Sequence, residues 1–359
     1  MISIRELRKT YPAAGGGFAA VRGVDIEVAQ GEIFTLLGPS GCGKTTILRC
    51  IAGLEAPDSG EIAIDGSVVF SSARGTVIGA HRRGVGMVFQ SYAIWPHMTV
   101  FQNVALPVTR GNYKVPKREV KSRVDEALRL VQLEGLAERP APMLSGGQQQ
   151  RIALARALAY APKVLLLDEP LSNLDAKLRA DMRVEIQQLV KRLSLTAVYV
   201  THDQEEALAL SDRIAVVRDG LIEQLGTPRG VYLAPANEFV ARFMGAANLL
   251  EGRMNGSGLV STAAGTLACG PTDVAGHDVT LMFRPDAVLL HEQRAAREGE
   301  LNRLHGRIER ASFMGSRLRC EIRVGSCLLF GEFPASQNRR EGEEVAIEIP
   351  PAHIRVFAR

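Results

Sequence analysis

The sequence lacks any apolar run approaching the roughly 18 uncharged residues that a membrane-spanning helix requires. Its five cysteines are an odd number with no CxxC spacing, which argues against a disulfide framework and a zinc knuckle. Lys and Arg total 43 against 39 for Asp and Glu, and a net charge of +4 is too small to indicate a nucleic-acid partner. The first residues show no apolar signal-peptide core. We therefore expect a cytosolic protein.

The 359 residues suggest two or three domains, and the pattern changes near residues 235–250. Before that point, nearly continuous β-rich runs such as 33–37 and 164–167 alternate with helical segments, which predicts a mostly parallel sheet. Residues 91–161 are predicted to form an inserted helical subdomain, and a helix is predicted over 178–193 with Asp175 as a plausible N-cap. After 245, short β-like runs separated by turns predict one small all-β barrel, or two. We expect an α/β domain over 1–235, a linker over 236–245 and an all-β domain over 246–359.

A glycine-rich loop follows the apolar strand predicted at 33–37 and leads into a helix predicted over 45–52. It fits the phosphate-binding pattern GxxxxGK[ST] with Gly38, Pro39, Ser40, Gly41, Cys42, Gly43, Lys44 and Thr45. Its glycines let backbone N–H groups approach phosphate oxygens, and the helix N-terminus adds partial positive charge. We expect Lys44 to reach the β- and γ-phosphates of a nucleotide and the Thr45 hydroxyl to bind Mg²⁺.

Two adjacent carboxylates, Asp168 and Glu169, end the apolar strand predicted at 164–167. In a sheet that carries a phosphate-binding loop, a strand-end Asp holds Mg²⁺, so we assign that role to Asp168. Glu169 would then orient and deprotonate the attacking water.

A second anion site is predicted at the start of a helix, where Ser145 caps a segment that begins Gly146, Gly147, Gln148. A nucleotide has one γ-phosphate, which the loop at 38–45 already holds. The economical explanation is that 145–148 serves the nucleotide bound by another copy of the chain. The segment Leu144–Arg151 resembles the signature motif of ABC-type ATPases, and it lies between a phosphate-binding loop and Asp168 as in that family.

The resemblance implies roles for further residues. Gln90 is similar to the Q-loop glutamine, which touches Mg²⁺ and the attacking water, and His202 to the switch histidine that contacts the γ-phosphate. Residues 172–175 resemble the D-loop, which crosses the dimer interface. Tyr11, expected just after the first strand, would stack on adenine, with Phe18 in the same loop as the alternative.

In the family, two chains bind head to tail around two ATP molecules. By the resemblance, each ATP would touch 38–46, including Thr46, in one chain and 145–148 in the other. The implied fold is an α/β P-loop NTPase cassette with an inserted helical subdomain, followed by a small all-β, OB-like extension. The implied cofactors are ATP and Mg²⁺, and no other metal site is expected.

The C-terminal region helps to distinguish an importer subunit from other kinds of ABC protein. Residues 245–252, 283–286 and 307–325 resemble parts of the TOBE-type extension typical of importers for sugars, polyamines, ferric iron and related solutes. Residues 87–100 resemble the polyamine and ferric-iron branch, with polyamine expected first and ferric iron second. A stand-alone exporter subunit would look similar across the cassette, whereas a DNA-repair ATPase would carry a coiled-coil insertion and a ribosome-associated factor two cassettes. The competing hypothesis is a soluble switch ATPase that acts on a macromolecule.

An importer subunit implies specific partners. They are a second copy of the chain, two integral membrane permease subunits and, indirectly, a periplasmic or surface solute-binding protein. The resemblance places the chain on the cytoplasmic face of the bacterial inner membrane. The region 95–97 would lie near the groove that grips a permease helix, although packing within the helical subdomain explains Trp95 equally well.

Overall fold

The computed structural model describes residues 1–13, 16–255, 258–271, 274, 277–291 and 302–359. It divides into two compact units, Met1–Arg229 and Gly230–Arg359. In the described residues, no helix combines the length and apolar character needed to cross a bilayer.

The first unit contains both strands and helices, which alternate one by one from residue 164 to residue 218. The strands are β1 (Ile2–Ala13), β2 (Gly16–Val28), β3 (Ile33–Leu37), β4 (Ser59–Ile64), β5 (Ser67–Ser71), β6 (Thr76–Val77), β7 (Val85–Val88), β8 (Val164–Asp168), β9 (Thr196–Thr201), β10 (Arg213–Arg218) and β11 (Leu221–Gly226). The helices are α1 (Lys44–Ala52), α2 (Val100–Thr109), α3 (Lys117–Leu130), α4 (Gly146–Leu158), α5 (Ala176–Arg192) and α6 (Gln204–Leu210).

A six-stranded sheet, counted over the described residues, has the order β11-β10-β3-β9-β8-β7 and is parallel except for β11. Every residue of β3, β8 and β9 is buried, as expected for strands covered on both faces. One core packs α2, α3, α4 and α5 against this sheet, and another packs α1 between it and the antiparallel sheet β2-β1-β4-β5-β6. The parallel order brings the carboxyl ends of β3, β8 and β9 to one edge.

The predicted helical insertion contains α2, α3 and α4, which lie within 91–161. Thr99 caps α2 and Ser145 caps α4, each through a capping box that satisfies two N-terminal backbone N–H groups. Asp175 caps α5 as predicted, by accepting from the N–H of Leu178 at 3.0 Å. In each case a polar side chain directly before the helix sets where the helix begins.

The second unit is predominantly β. Helices α7 (Pro228–Leu233), in which the division between the units falls, and α8 (Glu238–Phe243) precede the strands β12 (Asn248–Met254), β13 (Leu259–Thr262), β14 (Gly265–Ala268), β15 (Asp278–Phe283), β16 (Leu289–His291), β17 (Arg303–Phe313), β18 (Arg317–Val324), β19 (Cys327–Pro334), β20 (Glu344–Glu348) and β21 (Arg355–Ala358). In the described residues these strands form two antiparallel sheets, β14-β13-β12-β15-β21 and β16-β20-β17-β18-β19, around one apolar core. The prediction of an all-β C-terminal region is confirmed.

The domain limits differ in detail from those expected. The structure divides the chain at Arg229, and the residues expected as a linker contain α8. The guanidinium of Arg284, which is 4% exposed, donates to the carbonyls of Ala241, Gly245 and Ala246 at 2.8–3.1 Å. These hydrogen bonds join the expected linker 236–245 to Arg284, which directly follows β15 in the same unit. Amino-acid composition alone does not predict such a contact. The limits 1–235 and 246–359 stay a prediction.

Candidate active site

The glycine-rich loop connects β3 to α1, as its sequence predicted, and its packing explains two of its glycines. A Cβ atom on Gly38 would lie 2.2 Å from the carbonyl oxygen of Val217. A Cβ atom on Gly43 would lie 2.1 Å from the carbonyl oxygen of Ala20, and the φ angle of Gly43 is +104°, in the left-handed region. Only glycine fits either position, so the loop is clamped against its neighbours.

Lys44 begins α1 and folds back over the loop. Its Nζ donates to the carbonyl oxygens of Gly38 and Pro39, both at 2.8 Å, and the residue is 4% exposed. The ammonium is therefore held at the loop that precedes α1, and the N-terminus of α1 adds its own partial positive charge. This concentration of positive potential suits a bound phosphate.

Thr45 and Asp168 meet at the adjacent strand end, where the Thr45 hydroxyl donates to Oδ1 of Asp168 at 2.9 Å. Burial raises the pKa of the Asp168 carboxyl, and the Thr45 hydrogen bond opposes that shift. A hydroxyl beside a carboxylate is the kind of oxygen donor set that Mg²⁺ takes when phosphates supply its other ligands. The two residues fit the ion that the sequence analysis assigned to them.

Glu169 turns out of β8 with a φ angle of +43°. A non-glycine residue in this left-handed region costs about 1–2 kcal/mol, so the surrounding contacts must hold it there. Its Oε2 accepts a hydrogen bond from Nε2 of Gln90 at 3.1 Å and lies 3.2 Å from Nδ1 of His202. Three residues that were predicted separately are therefore in direct contact.

A cavity of about 380 Å³ lies over these groups. It is lined by Tyr11, Phe18, Ala20, Ser40, Gly41, Gly43, Lys44, Thr45, Thr46, Gln90 and Glu169. Tyr11 pairs with Phe18 across β1 and β2, so both aromatic rings border the cavity. Tyr11 lies within β1, so its expected position just after the first strand is wrong.

The signature segment 145–148 lies at the N-terminus of α4 and is not among the residues that line this cavity. The Ser145 hydroxyl accepts from the N–H of Gln148 at 3.4 Å, and the Gln148 side chain accepts from the N–H of Ser145 at 3.0 Å. Ser145 and Gly146 are exposed, whereas Gly147 is buried against Leu178. An exposed, capped helix start is available to a second molecule.

Two side-chain contacts that position the site were not predicted from the sequence. Nδ2 of Asn173 donates to the backbone oxygen of Gln90 at 2.8 Å. Arg156, on α4, donates to the carbonyls of Tyr92 and Ala93 at 2.7 and 2.5 Å, just beyond Gln90. Both contacts join segments that are distant in the sequence, and local patterns carry no signal for them.

A glycine-rich loop that opens a helix beside two strand-end carboxylates defines a P-loop ATPase. Comparison with known proteins gives the family. The family model described as ABC transporter matches residues 21–172, and the one described as TOBE domain matches residues 281–357.

Curated relatives extend the match over most of the chain. The Fe(3+) ions import ATP-binding protein FbpC of Vibrio cholerae is 48% identical over 77% of this chain and 78% of its own length. The spermidine/putrescine import ATP-binding protein PotA of Pseudomonas fluorescens is 43% identical over 98% of this chain and 96% of its own. A solved bacterial ABC transporter cassette, described as dimeric, has a TM-score of 0.55 and 34% identity, and covers 64% of this chain and 100% of its own.

The chain therefore belongs to the ATP-binding proteins of the ABC transporter family, in the importer type that carries a TOBE extension. It is an ATPase coupled to import. The predicted family, fold class and enzyme class are confirmed.

Proposed function

We propose that the chain hydrolyses ATP at the site formed by 38–46, Asp168 and Glu169, and that this hydrolysis powers solute uptake through separate membrane subunits. The observation that carries the proposal is the contact of Glu169 with both Gln90 and His202 at the edge of the cavity that contains Lys44. The Glu169 carboxylate is held there by Gln90, expected to contact Mg²⁺ and the attacking water, and by His202, expected to contact the γ-phosphate.

Each residue has a distinct role in this proposal. Lys44 binds the β- and γ-phosphates, and Thr45, Gln90 and Asp168 hold Mg²⁺, which when bound neutralises charge on the phosphate oxygens. Glu169 accepts the proton of the attacking water, a general-base contribution of about 10²–10⁴ in rate. His202 contacts the γ-phosphate and keeps the Glu169 carboxylate oriented.

The complete site requires a second copy of the chain. The exposed N-terminus of α4 at Ser145 and Gly146 presents backbone N–H groups without reaching the cavity of its own chain. In a head-to-tail dimer, 145–148 would contact the γ-phosphate held by the partner copy, and its positive potential would stabilise the transferring phosphoryl group. ATP then favours the closed dimer and ADP does not.

The helical subdomain offers a surface for the membrane subunits. A groove of about 790 Å³ is lined largely by apolar side chains, among them Met87, Phe89, Trp95, Met98 and Leu106. Trp95 is 47% exposed, more than a residue that serves only internal packing requires. We propose that each of two permease subunits inserts a helix here, on the cytoplasmic face of the inner membrane, and that a solute-binding protein delivers the solute.

For the solute we propose a polyamine first and ferric iron second. A relative named for spermidine and putrescine import is 43% identical and aligns over 98% of the chain, whereas one named for ferric iron import is 48% identical and aligns over 77%. Relatives named for glycerol-3-phosphate and for trehalose and maltose import also match, at 46% and 41% identity. The solute therefore has to be identified through the partners of the chain.

The test is a gentle pull-down of the tagged chain from detergent-solubilised native membranes, followed by mass spectrometry. Recovery of integral membrane subunits supports the importer and leads to its solute-binding protein, which is then titrated with spermidine, putrescine and Fe³⁺. Recovery of ribosomal or DNA-repair proteins without a membrane partner would contradict the importer assignment. Binding of a sugar or phosphate ester alone would contradict the proposed solutes but not the transporter.

A further inference from the structure

The side chain of Arg179, on α5, contacts two functional segments at once. Its Nη2 donates to the backbone oxygen of Leu174 at 3.1 Å, and its Nη1 donates to Oδ2 of Asp203 at 3.3 Å. Leu174 belongs to the D-loop, residues 172–175, and Asp203 directly follows His202. One guanidinium therefore joins the segment expected at the dimer interface to the segment that carries His202.

Hydrogen bonds to Thr201 and to the first turn of α6 hold Asp203 in place. Its N–H donates to the Thr201 hydroxyl at 3.0 Å, and its Oδ1 accepts from the N–H of Glu206 at 3.1 Å. The hydroxyls of Thr201 and Tyr199 donate to the buried carboxylate of Glu206 at 2.7 and 2.9 Å. Because His202 lies between two anchored residues, a displacement of Asp203 must move His202.

The D-loop also reaches Glu169 by a second route. Asn173 donates to the backbone of Gln90 at 2.8 Å, and the Gln90 side chain donates to Glu169 at 3.1 Å. His202 lies 3.2 Å from the same carboxylate. Contacts therefore run from the D-loop to Glu169 through Asn173 and Gln90 on one side, and through Arg179 and His202 on the other.

We propose that Arg179 is a positioning residue that orients His202 toward Glu169 according to the position of the D-loop. Formation of the ATP-bound dimer would move the D-loop, and Arg179 would carry that movement to His202. The planar guanidinium suits this task because it presents several donors in a fixed geometry, so one side chain serves a carbonyl and a carboxylate together. The inference rests on the roles proposed above for Glu169 and His202.

The test compares Arg179→Met with Arg183→Met in the full-length chain. Arg183 lies one turn further along α5 and pairs with Glu205 at 3.6 Å, so it also joins α5 to α6. We expect Arg179→Met to lower kcat for ATP hydrolysis about tenfold because His202 is misplaced, with KM for ATP within about twofold. Arg183→Met should keep kcat within about twofold of the wild type. Equal losses in both variants would overturn the proposal.

A double-mutant cycle separates positioning from a general structural role. In a His202→Ala background, Arg179→Met should lower kcat by less than about twofold further, since the residue through which it acts is gone. A full, additional tenfold loss would overturn the proposal. Should Arg179→Met fail to fold, Asp203→Asn replaces it in the same cycle, because Asn keeps the cap of α6 while the ion pair to Arg179 is lost.

The single variants distinguish failure of this inference from failure of the proposed function. Low turnover in His202→Ala together with wild-type turnover in Arg179→Met would overturn the role of Arg179 and leave that of His202 intact. Wild-type turnover in His202→Ala would remove His202 from the proposed mechanism, and with it the target of Arg179. Restoration of turnover by Arg179→Lys to the wild-type level would show that charge alone suffices, and it would overturn the requirement for two simultaneous contacts.

Discussion

The Nδ1 atom of His202 lies 3.2 Å from the Oε2 atom of Glu169. The carboxylate side chain is 16% exposed and the imidazole 53%, so the histidine is the partner that solvent and substrate reach more easily. Gln90 donates to the same carboxylate oxygen at 3.1 Å. The Glu169 carboxylate is thus oriented by Gln90 and His202, and it lines the cavity.

Replacing Glu169 by Gln should lower ATP turnover at least about a hundredfold, because an amide cannot accept the proton of the attacking water. The Gln side chain keeps an oxygen that can accept from Gln90, so the affinity for ATP should stay within about twofold. Steady-state kinetics and equilibrium nucleotide binding measure the two effects. Glu205→Gln, an exposed change on α6, is the control. Near-normal turnover would remove Glu169 from the role of base.

The same variant should dimerise when ATP is saturating, since it binds ATP without consuming it. Adding Gly146→Glu should return it to a monomer, because the new carboxylate would face the phosphates held by the partner copy. The Gly146→Glu substitution should not disturb folding. A Cβ atom on Gly146 would lie 3.6 Å from Leu174, in ordinary contact, and an acidic residue in the first turn stabilises the helix. Gly146→Ala is the matched control and should still dimerise. Size-exclusion chromatography with light scattering measures the outcome.

A Glu169→Gln chain that stays monomeric at saturating ATP would contradict the proposal that the chain dimerises without its membrane subunits. Dimerisation of the Gly146→Glu variant would place the interface elsewhere than at 145–148.

Gly43→Ala should abolish ATP binding while Gly135→Ala leaves it unchanged. An added Cβ at Gly43 would lie 2.1 Å from the carbonyl of Ala20, and the φ angle of +104° strains any other residue. Gly135 has open space around its Cβ position, so it tests the same substitution without a clash. Isothermal titration with ATP distinguishes the two variants. Wild-type affinity in Gly43→Ala would mean that the loop can move away from Ala20 at little cost.

The stability of the chain should depend on pH through Glu206, which is 3% exposed. Burial raises the pKa of its carboxyl above the ordinary value of 4.5, despite hydrogen bonds from Thr201 and Tyr199 that favour the charged form. A carboxyl with a raised pKa in the folded state contributes stability that is present below the unfolded pKa and lost as the pH rises through the folded pKa.

Glu206→Gln does not titrate at this position, and its amide oxygen can accept the same two hydroxyls. The free energy of unfolding of this variant, minus that of the wild type, should therefore increase as the pH rises from about 4 to about 8. Urea denaturation at a series of pH values measures that difference. A difference that falls with increasing pH would contradict the assignment.

Local sequence patterns predicted the phosphate-binding loop, the strand-end carboxylates and the capped helices because each depends on neighbouring residues. The helix expected at 45–52 begins at Lys44, and the one expected at 178–193 is α5 with Asp175 as its cap. These features follow from turn chemistry, apolar periodicity and side-chain capping.

The contacts that join the loops could not be predicted in the same way. Arg156, Asn173 and Arg179 each donate to a backbone oxygen of another segment, and no local sequence pattern indicates which oxygen that is. The carbonyl to which such a residue donates depends on how the sheet brings the carboxyl ends of its parallel strands to one edge, and that arrangement is a property of the whole fold. The choice between Tyr11 and Phe18 was open for a similar reason, since both project from paired strands at the cavity.

The aromatic residue that stacks on adenine is identified by comparing Tyr11→Ala with Phe18→Ala. Stacking of a base on an aromatic ring contributes about 1–3 kcal/mol, so losing the stacking residue should weaken ATP binding by about five- to 150-fold. We expect the larger loss for Tyr11→Ala, since Lys9 lies 5.3 Å from the centre of the Tyr11 ring and holds it, whereas Phe18 is 53% exposed. Titration with ATP and with inorganic triphosphate, which has no base, shows whether the loss comes from stacking. A larger loss for Phe18→Ala with ATP alone would assign the stacking to Phe18, and equal losses with both ligands would exclude stacking by either ring.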